Sequence, residues 1–146
     1  MDLQNFLPYR IAVLSEAVSQ SVAQVYRERF GLSRDEWRVL AALAEGGAVP
    51  TGEVIRSTTL EKMPVSRAVS RLQAAGHVER LPDPDDGRGW LLRLTPAGRS
   101  LYLKIVPMVQ AREAFLLEAL SAEEQAVLNQ AISRLTDQAR RLARQG

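Results

Sequence analysis

The side chains best placed to do chemistry are Ser66, Arg67, Ser70 and Arg71, within the segment KMPVSRAVSRLQAAG. As two adjacent pairs four residues apart they fall on one side of a helix, while Val65, Ala68, Val69 and Leu72 recur at three and four and fall on the other. An arginine fork pairs bidentately with O6 and N7 of guanine, and a serine hydroxyl donates to a phosphate or base edge without filling a groove. Such a face suits a DNA major groove. Ser66, Arg67 and Ser70 would read or position there, and Arg71 would hold a phosphate. Further along, Arg88 stands in PDPDDGRG, whose prolines fix φ, whose glycines free it and whose aspartates bond their own backbone, so the segment reads as a turn. An arginine on such a tip suits the negative potential of a minor groove, and Asp86 is placed to orient it as an ion pair. The plainer alternatives are solvated surface arginines and an ordinary soluble hairpin.

Catalysis has little to work with. The chain has no cysteine, which excludes disulfides and thiol redox sensing, and its one histidine, His77, lies between Gly76 and Val78 at a helix-to-strand corner. No zinc spacing, no phosphate-cradling glycine loop and no nucleophile with a base nearby is present, so no catalytic or metal site and no cofactor is expected.

The elements that must hold the basic face follow from periodicity and punctuation. Pro64 suits a first helical position and Gly76 the position past the end, so a helix of about three turns is expected between them. Val78 to Leu81 and Trp90 to Leu94 read as strands on either side of the turn Pro82 to Gly89. Upstream, Ser33-Arg34-Asp35-Glu36 reads as a capping box, with Leu32 and Trp37 as its hydrophobic staple, and the helix it starts should run to about Ala44. Thr51 is a plausible N-cap for a short helix from Gly52 to about Ser57. Two short helices, then strand, turn and strand, make a winged helix-turn-helix over residues 33–95.

Longer helices flank this lobe. Ile11, Leu14, Val18, Val22 and Val25 keep helical spacing from about Pro8 to Phe30, a length of about 33 Å, with Met1 to Asn5 loose before it. Thr95 and Pro96 open a helix to about Leu120; Ser121-Ala122-Glu123-Glu124 is a second capping box, followed by the stripe Leu128, Ile132, Leu135, Ala139 and Leu142. One small lobe cannot bury helices this long. Residues 8–30 and 96–144 are therefore expected to pack on a second copy, giving a mostly α, α+β chain that forms a homodimer.

These residues resemble the MarR family of bacterial transcription regulators. The resemblance is carried by Val65-Ser66-Arg67 to Leu72, the exit Gly76-His77-Val78-Glu79-Arg80, the tip Asp86-x-Arg88-Gly89 and Leu94-Thr95-Pro96-x-Gly98, and it spans essentially the whole chain. Met63, where an N-cap would prefer a hydroxyl or carboxylate, and Gly87, where many relatives carry a second basic residue, depart from it. The resemblance implies a homodimeric, DNA-binding regulator, commonly a repressor, and a small aromatic or phenolic effector bound between dimer helices and DNA-binding lobe. Candidate lining residues are Tyr9 and Arg10, Trp37 and Arg38, and Met108. The competing reading is a winged-helix protein-interaction module without DNA affinity.

Charge distribution agrees with a double-stranded DNA partner better than net charge does. The whole chain carries only +2, but Lys62 to Lys104 holds eight basic residues against four acidic ones, a local +4 against −2 elsewhere. No apolar run approaches the ~20 residues of a membrane span and no secretory signal opens the sequence, so a cytoplasmic location is expected.

Overall fold

Pro8 and Gly31 bound the first helix, α1 (Leu7–Phe30), as their backbone preferences require. Gly31 sits at φ 65° and donates to the Arg27 carbonyl, while the Leu32 N–H donates to that of Tyr26. The computed structural model describes the whole chain, Met1–Gly146. Its first residues are not loose: Leu3–Asn5 form a 3-10 turn capped by Asp2, whose carboxylate accepts from the Gln4 N–H at 3.1 Å.

The helix α2 (Arg34–Ala42) is capped by Ser33, which accepts from the Glu36 N–H at 3.1 Å. Only this half of the expected box forms. The Glu36 carboxylate reaches instead to Arg71 Nη1, 3.9 Å away. There follow β1 (Val49–Pro50), α3 (Thr51–Thr58), α4 (Lys62–Ala74), β2 (Val78–Asp83), β3 (Asp86–Leu94), α5 (Pro96–Leu117) and α6 (Ala122–Gln145). Thr51 is not the cap of α3. Pro50 holds that position without a side-chain bond, and the Thr51 hydroxyl donates to the Trp90 carbonyl at 3.1 Å, tying α3 to β3.

The sheet is antiparallel with order β1-β3-β2, Val49 facing Leu92 and Arg80 facing Leu92 from the other side. Strand β1 carries no signal of its own, being two residues long with a proline. It exists because β3 offers it an edge, where a proline is tolerated. By packing, the chain divides into two units, Met1–Gln110 and Ala111–Gly146. In the first, Val39, Leu40, Leu43, Val54, Val65, Val69, Leu72, Leu92 and Ile105 form a closed core. In the second, Ser121 and Glu124 form the full reciprocal capping box, and Gln125 Nε2 donates to the Leu117 carbonyl at 3.0 Å, closing the turn between the helices. No residue of α6 is buried, and Val127 and Leu142 are 65% and 70% exposed. No helix is long and apolar enough to cross a membrane.

Candidate nucleic-acid interface

Helix α4 carries the face that the sequence points to, shifted by one correction at its start. It begins at Lys62 with Glu61 as N-cap, and its first helical bond runs from the Val65 N–H to the Glu61 carbonyl at 3.2 Å. Pro64 is thus the third helical residue, not the first. The cost is nil, because N–H groups of a first turn have no intrahelical acceptor. At the other end the His77 N–H donates to the Leu72 carbonyl at 2.9 Å and the Gly76 N–H to that of Gln73 at 3.0 Å, with Gly76 at φ 81°; this double bond is a Schellman stop. Val65, Ala68, Val69 and Leu72 are buried, and Ser66, Arg67, Ser70 and Arg71 are all exposed.

Two of these four have partners on other elements. Arg80, on β2, donates through Nη2 to Ser70 Oγ at 3.2 Å. That bond occupies an oxygen lone pair and leaves the hydroxyl proton free to be donated outward. Arg71 faces the largely buried Glu36, so its charge is partly answered from below. Arg67 makes no ion pair. Arg80 and Glu36 were missed because their partners lie on other elements.

The wing is a hairpin, tighter than an eight-residue turn. The strands run to Asp83 and Asp86, and only Pro84 and Asp85 lie between them, with Asp83 Oδ1 accepting from the Asp85 N–H at 2.9 Å. Asp83 faces Asp86 but Pro82 already faces Trp90, so Gly87, Arg88 and Gly89 are extra residues that bulge from β3. Within this bulge Asp86 Oδ1 accepts from the backbone N–H of Arg88 at 3.1 Å. The Asp86–Arg88 side-chain ion pair expected from sequence is therefore replaced by an aspartate-to-backbone bond, and the Arg88 guanidinium stays unpaired. A side chain at Gly89 would have to displace the Asp86 carboxylate, since a Cβ would lie 2.8 Å from Asp86 Oδ2. Lower on the wing, Arg93 is paired with Glu79 across the ladder, which removes it as a free cation.

Thr95 fixes the wing's exit to the end of α4. Its Oγ1 accepts from the Gly98 N–H at 3.0 Å and donates to the Gly76 carbonyl at 2.6 Å, while its own N–H donates to the His77 carbonyl at 3.1 Å. A Cβ on Gly98 would come within 2.0 Å of that same His77 oxygen. Here Thr95-Pro96-x-Gly98 has its physical meaning.

The five effector candidates are scattered within one chain. Tyr9 and Arg10 line an open groove of about 430 Å³ with Gln4, Val13, Leu14 and Ala17, all from α1 and the turn before it. None of Trp37, Arg38 and Met108 lines that groove. Trp37 is stacked between Tyr26 and Tyr102, with ring centroids 5.6 and 5.7 Å away. Burial pushes the Tyr26 hydroxyl above its usual pKa. Arg38 is half-buried on α2, and Met108 Sδ accepts from Arg29 Nη1 at 3.9 Å.

Comparison with known proteins agrees with this arrangement. The sequence profile of the MarR family matches residues 30–89. The chain is similar to the transcriptional repressor Rv2887 of Mycobacterium tuberculosis, with 27% identity over 132 residues, 90% of this chain and 91% of that one. It is similar in structure to the MarR family regulator SPO1453 of Silicibacter pomeroyi, at 30% identity and TM-score 0.78, over 92% of this chain and 98% of that one. It also matches the PcaV regulator of Streptomyces coelicolor, solved with its natural ligand, at 26% identity and TM-score 0.79, over 95% and 97% of the two chains. Relatives of this kind are named as transcriptional regulators and not as enzymes. With its helix-turn-helix, bulged wing and Thr95–Gly98 joint, the chain belongs to the MarR family of winged helix-turn-helix transcription regulators.

Proposed function

We propose that the protein is a homodimeric, sequence-specific repressor that binds a pseudo-palindromic operator and leaves it when a small aromatic or phenolic ligand binds. The observation that carries the reading is the pair of unpaired guanidinium groups, Arg67 on the outer face of α4 and Arg88 on the wing bulge, beside the hydroxyls of Ser66 and Ser70. On this reading Arg67 pairs with a guanine edge, Ser66 and Ser70 position, Arg71 holds a phosphate with Glu36 below it, and Arg88 enters the adjoining minor groove. Two copies set the half-sites about 10 to 10.5 base pairs apart. The second copy is supported by the apolar surface left open on the long helices: Ile11 and Leu14 of α1, Leu103 and Phe115 of α5, and Ile132 and Leu135 of α6 are each about half exposed or more.

The effector half of the reading is supported by the ligand-bound relative and by the one-walled groove at Tyr9 and Arg10, which a second chain could complete with an arginine for an acidic group. A ligand acts only through the difference in its affinity for two lobe spacings. Selection of genomic fragments with the purified protein, followed by footprinting, tests the DNA half: a dyad-symmetric site is expected. Recovery of no site, together with a protein partner that binds the α4 face, would favour the interaction-module reading. Calorimetry with aromatic carboxylates and phenols tests the effector half. Heat of binding with weakened operator affinity is expected, and a whole panel without either result contradicts it.

A further inference from the structure

The face of α4 that points away from the core is led by an apolar residue. At 3.6 residues per turn, Met63, Arg67, Ser70 and Ala74 form one row at steps of four, three and four, about opposite the middle of the stripe Val65, Ala68, Val69 and Leu72. Met63 is 63% exposed. It is absent from the core and from the apolar residues packed against it, and it is the one large apolar side chain that α4 leaves to solvent. Its place is also particular. It is the second residue of the helix, and base edges are touched mainly by the N-terminal residues of a recognition helix. The first turn itself holds no acid, and the exposed N-cap Glu61 stands two residues before Met63.

We infer that Met63 is a specificity-determining residue that seats on the C5-methyl group of one thymine in each half-site. Thymine alone among the four bases presents a methyl group to the major groove, and apolar side chains are what contact it. A flexible, polarisable thioether suits that surface, and desolvating it there removes an exposed apolar side chain from water. The neighbouring Arg67, one turn on along the same row, would pair with a guanine, so the two residues together read an apolar mark and a hydrogen-bonding mark on nearby base pairs. This rests on the proposal that the outer row of α4 reads DNA.

The test uses the full-length protein and the site recovered by selection. Each thymine is replaced in turn by deoxyuridine, which deletes the methyl group and keeps every hydrogen bond, and binding is titrated for the wild type, Met63→Ala and Met63→Leu. At one thymine per half-site, deoxyuridine should weaken the wild type about four-fold, the equivalent of one methyl group. Met63→Ala should bind both duplexes alike, Met63→Leu should keep part of the preference, and all three should share one salt slope, since no phosphate contact changes. A wild type indifferent to every deoxyuridine, or a Met63→Ala that keeps the full preference, overturns the inference while leaving DNA binding intact. Failure to bind any site specifically overturns both.

Discussion

Gly76 and Gly98 are both required, for different reasons and by different amounts. Gly76 has open space around it, and alanine there would pay only for a positive φ, about 1 kcal/mol. At Gly98 a Cβ would collide with a backbone carbonyl that is itself fixed by the Thr95 N–H, so Gly98→Ala should destabilise by about 3 kcal/mol. Urea unfolding of the two variants checks the order; a milder loss at Gly98 contradicts the joint described here. Glu124 provides a pH-dependent counterpart. Bonds from the Ser121 backbone and side chain hold its carboxyl below the ordinary glutamate value of 4.5. Because the folded pKa is the lower one, the contribution is present above 4.5 and is lost as the pH falls through the folded value. Glu124→Gln removes the carboxylate that accepts from the Ser121 N–H, so the loss of stability on acidification assigned to this group should disappear in urea unfolding followed against pH; an unchanged acid dependence contradicts the box. The two sites differ in legibility. Ser121 and Glu124 are three residues apart and the box was readable, whereas the need for Gly98 depends on His77, a residue remote in sequence.

Helix α4 and the wing contact different things, and their variants should lose binding differently. Arg67→Ala should relax preference at one base pair and cost about 1–3 kcal/mol per half-site, leaving other positions unchanged. Arg88→Ala should weaken binding to specific and random duplexes alike and shrink the salt slope by about 1 for each wing. Parallel titrations of both variants on both duplexes decide this. Base-pair-selective loss at Arg88, or uniform loss at Arg67, reverses the assignment. Element by element, α4 was the most legible part, since its buried stripe matches the periodicity residue for residue. Strand β1 was not legible, because two residues ending in proline become a strand only where β3 supplies an edge. The wing was half legible. Its turn residues were clear, but the Asp86 carboxylate spends itself on the Arg88 backbone, which pairs the strands farther out than apolar residues alone indicate.

At the scale of the molecule, the lobe closes its core within one chain, while the long helices leave apolar side chains exposed. Helix α6 has no fully buried residue although its stripe at Ile132 and Leu135 is regular, so the apolar surface is legible in sequence but what covers it is not. If a second copy covers that stripe, Ile132→Glu with Leu135→Glu should forfeit about 1–1.5 kcal/mol per side chain, since each is already about half buried in one chain, and give monomers by sedimentation, with operator affinity lost alongside. A double variant that remains dimeric places the interface elsewhere.

Salt dependence of binding to the selected operator, set against a scrambled duplex of equal length, bears most directly on the claim that α4 and the wing read DNA. A steep negative log–log slope of several units on both duplexes is expected, with the operator bound at least ~10³-fold more tightly at physiological salt. A flat slope, or equal affinity for operator and scrambled duplex, would contradict it.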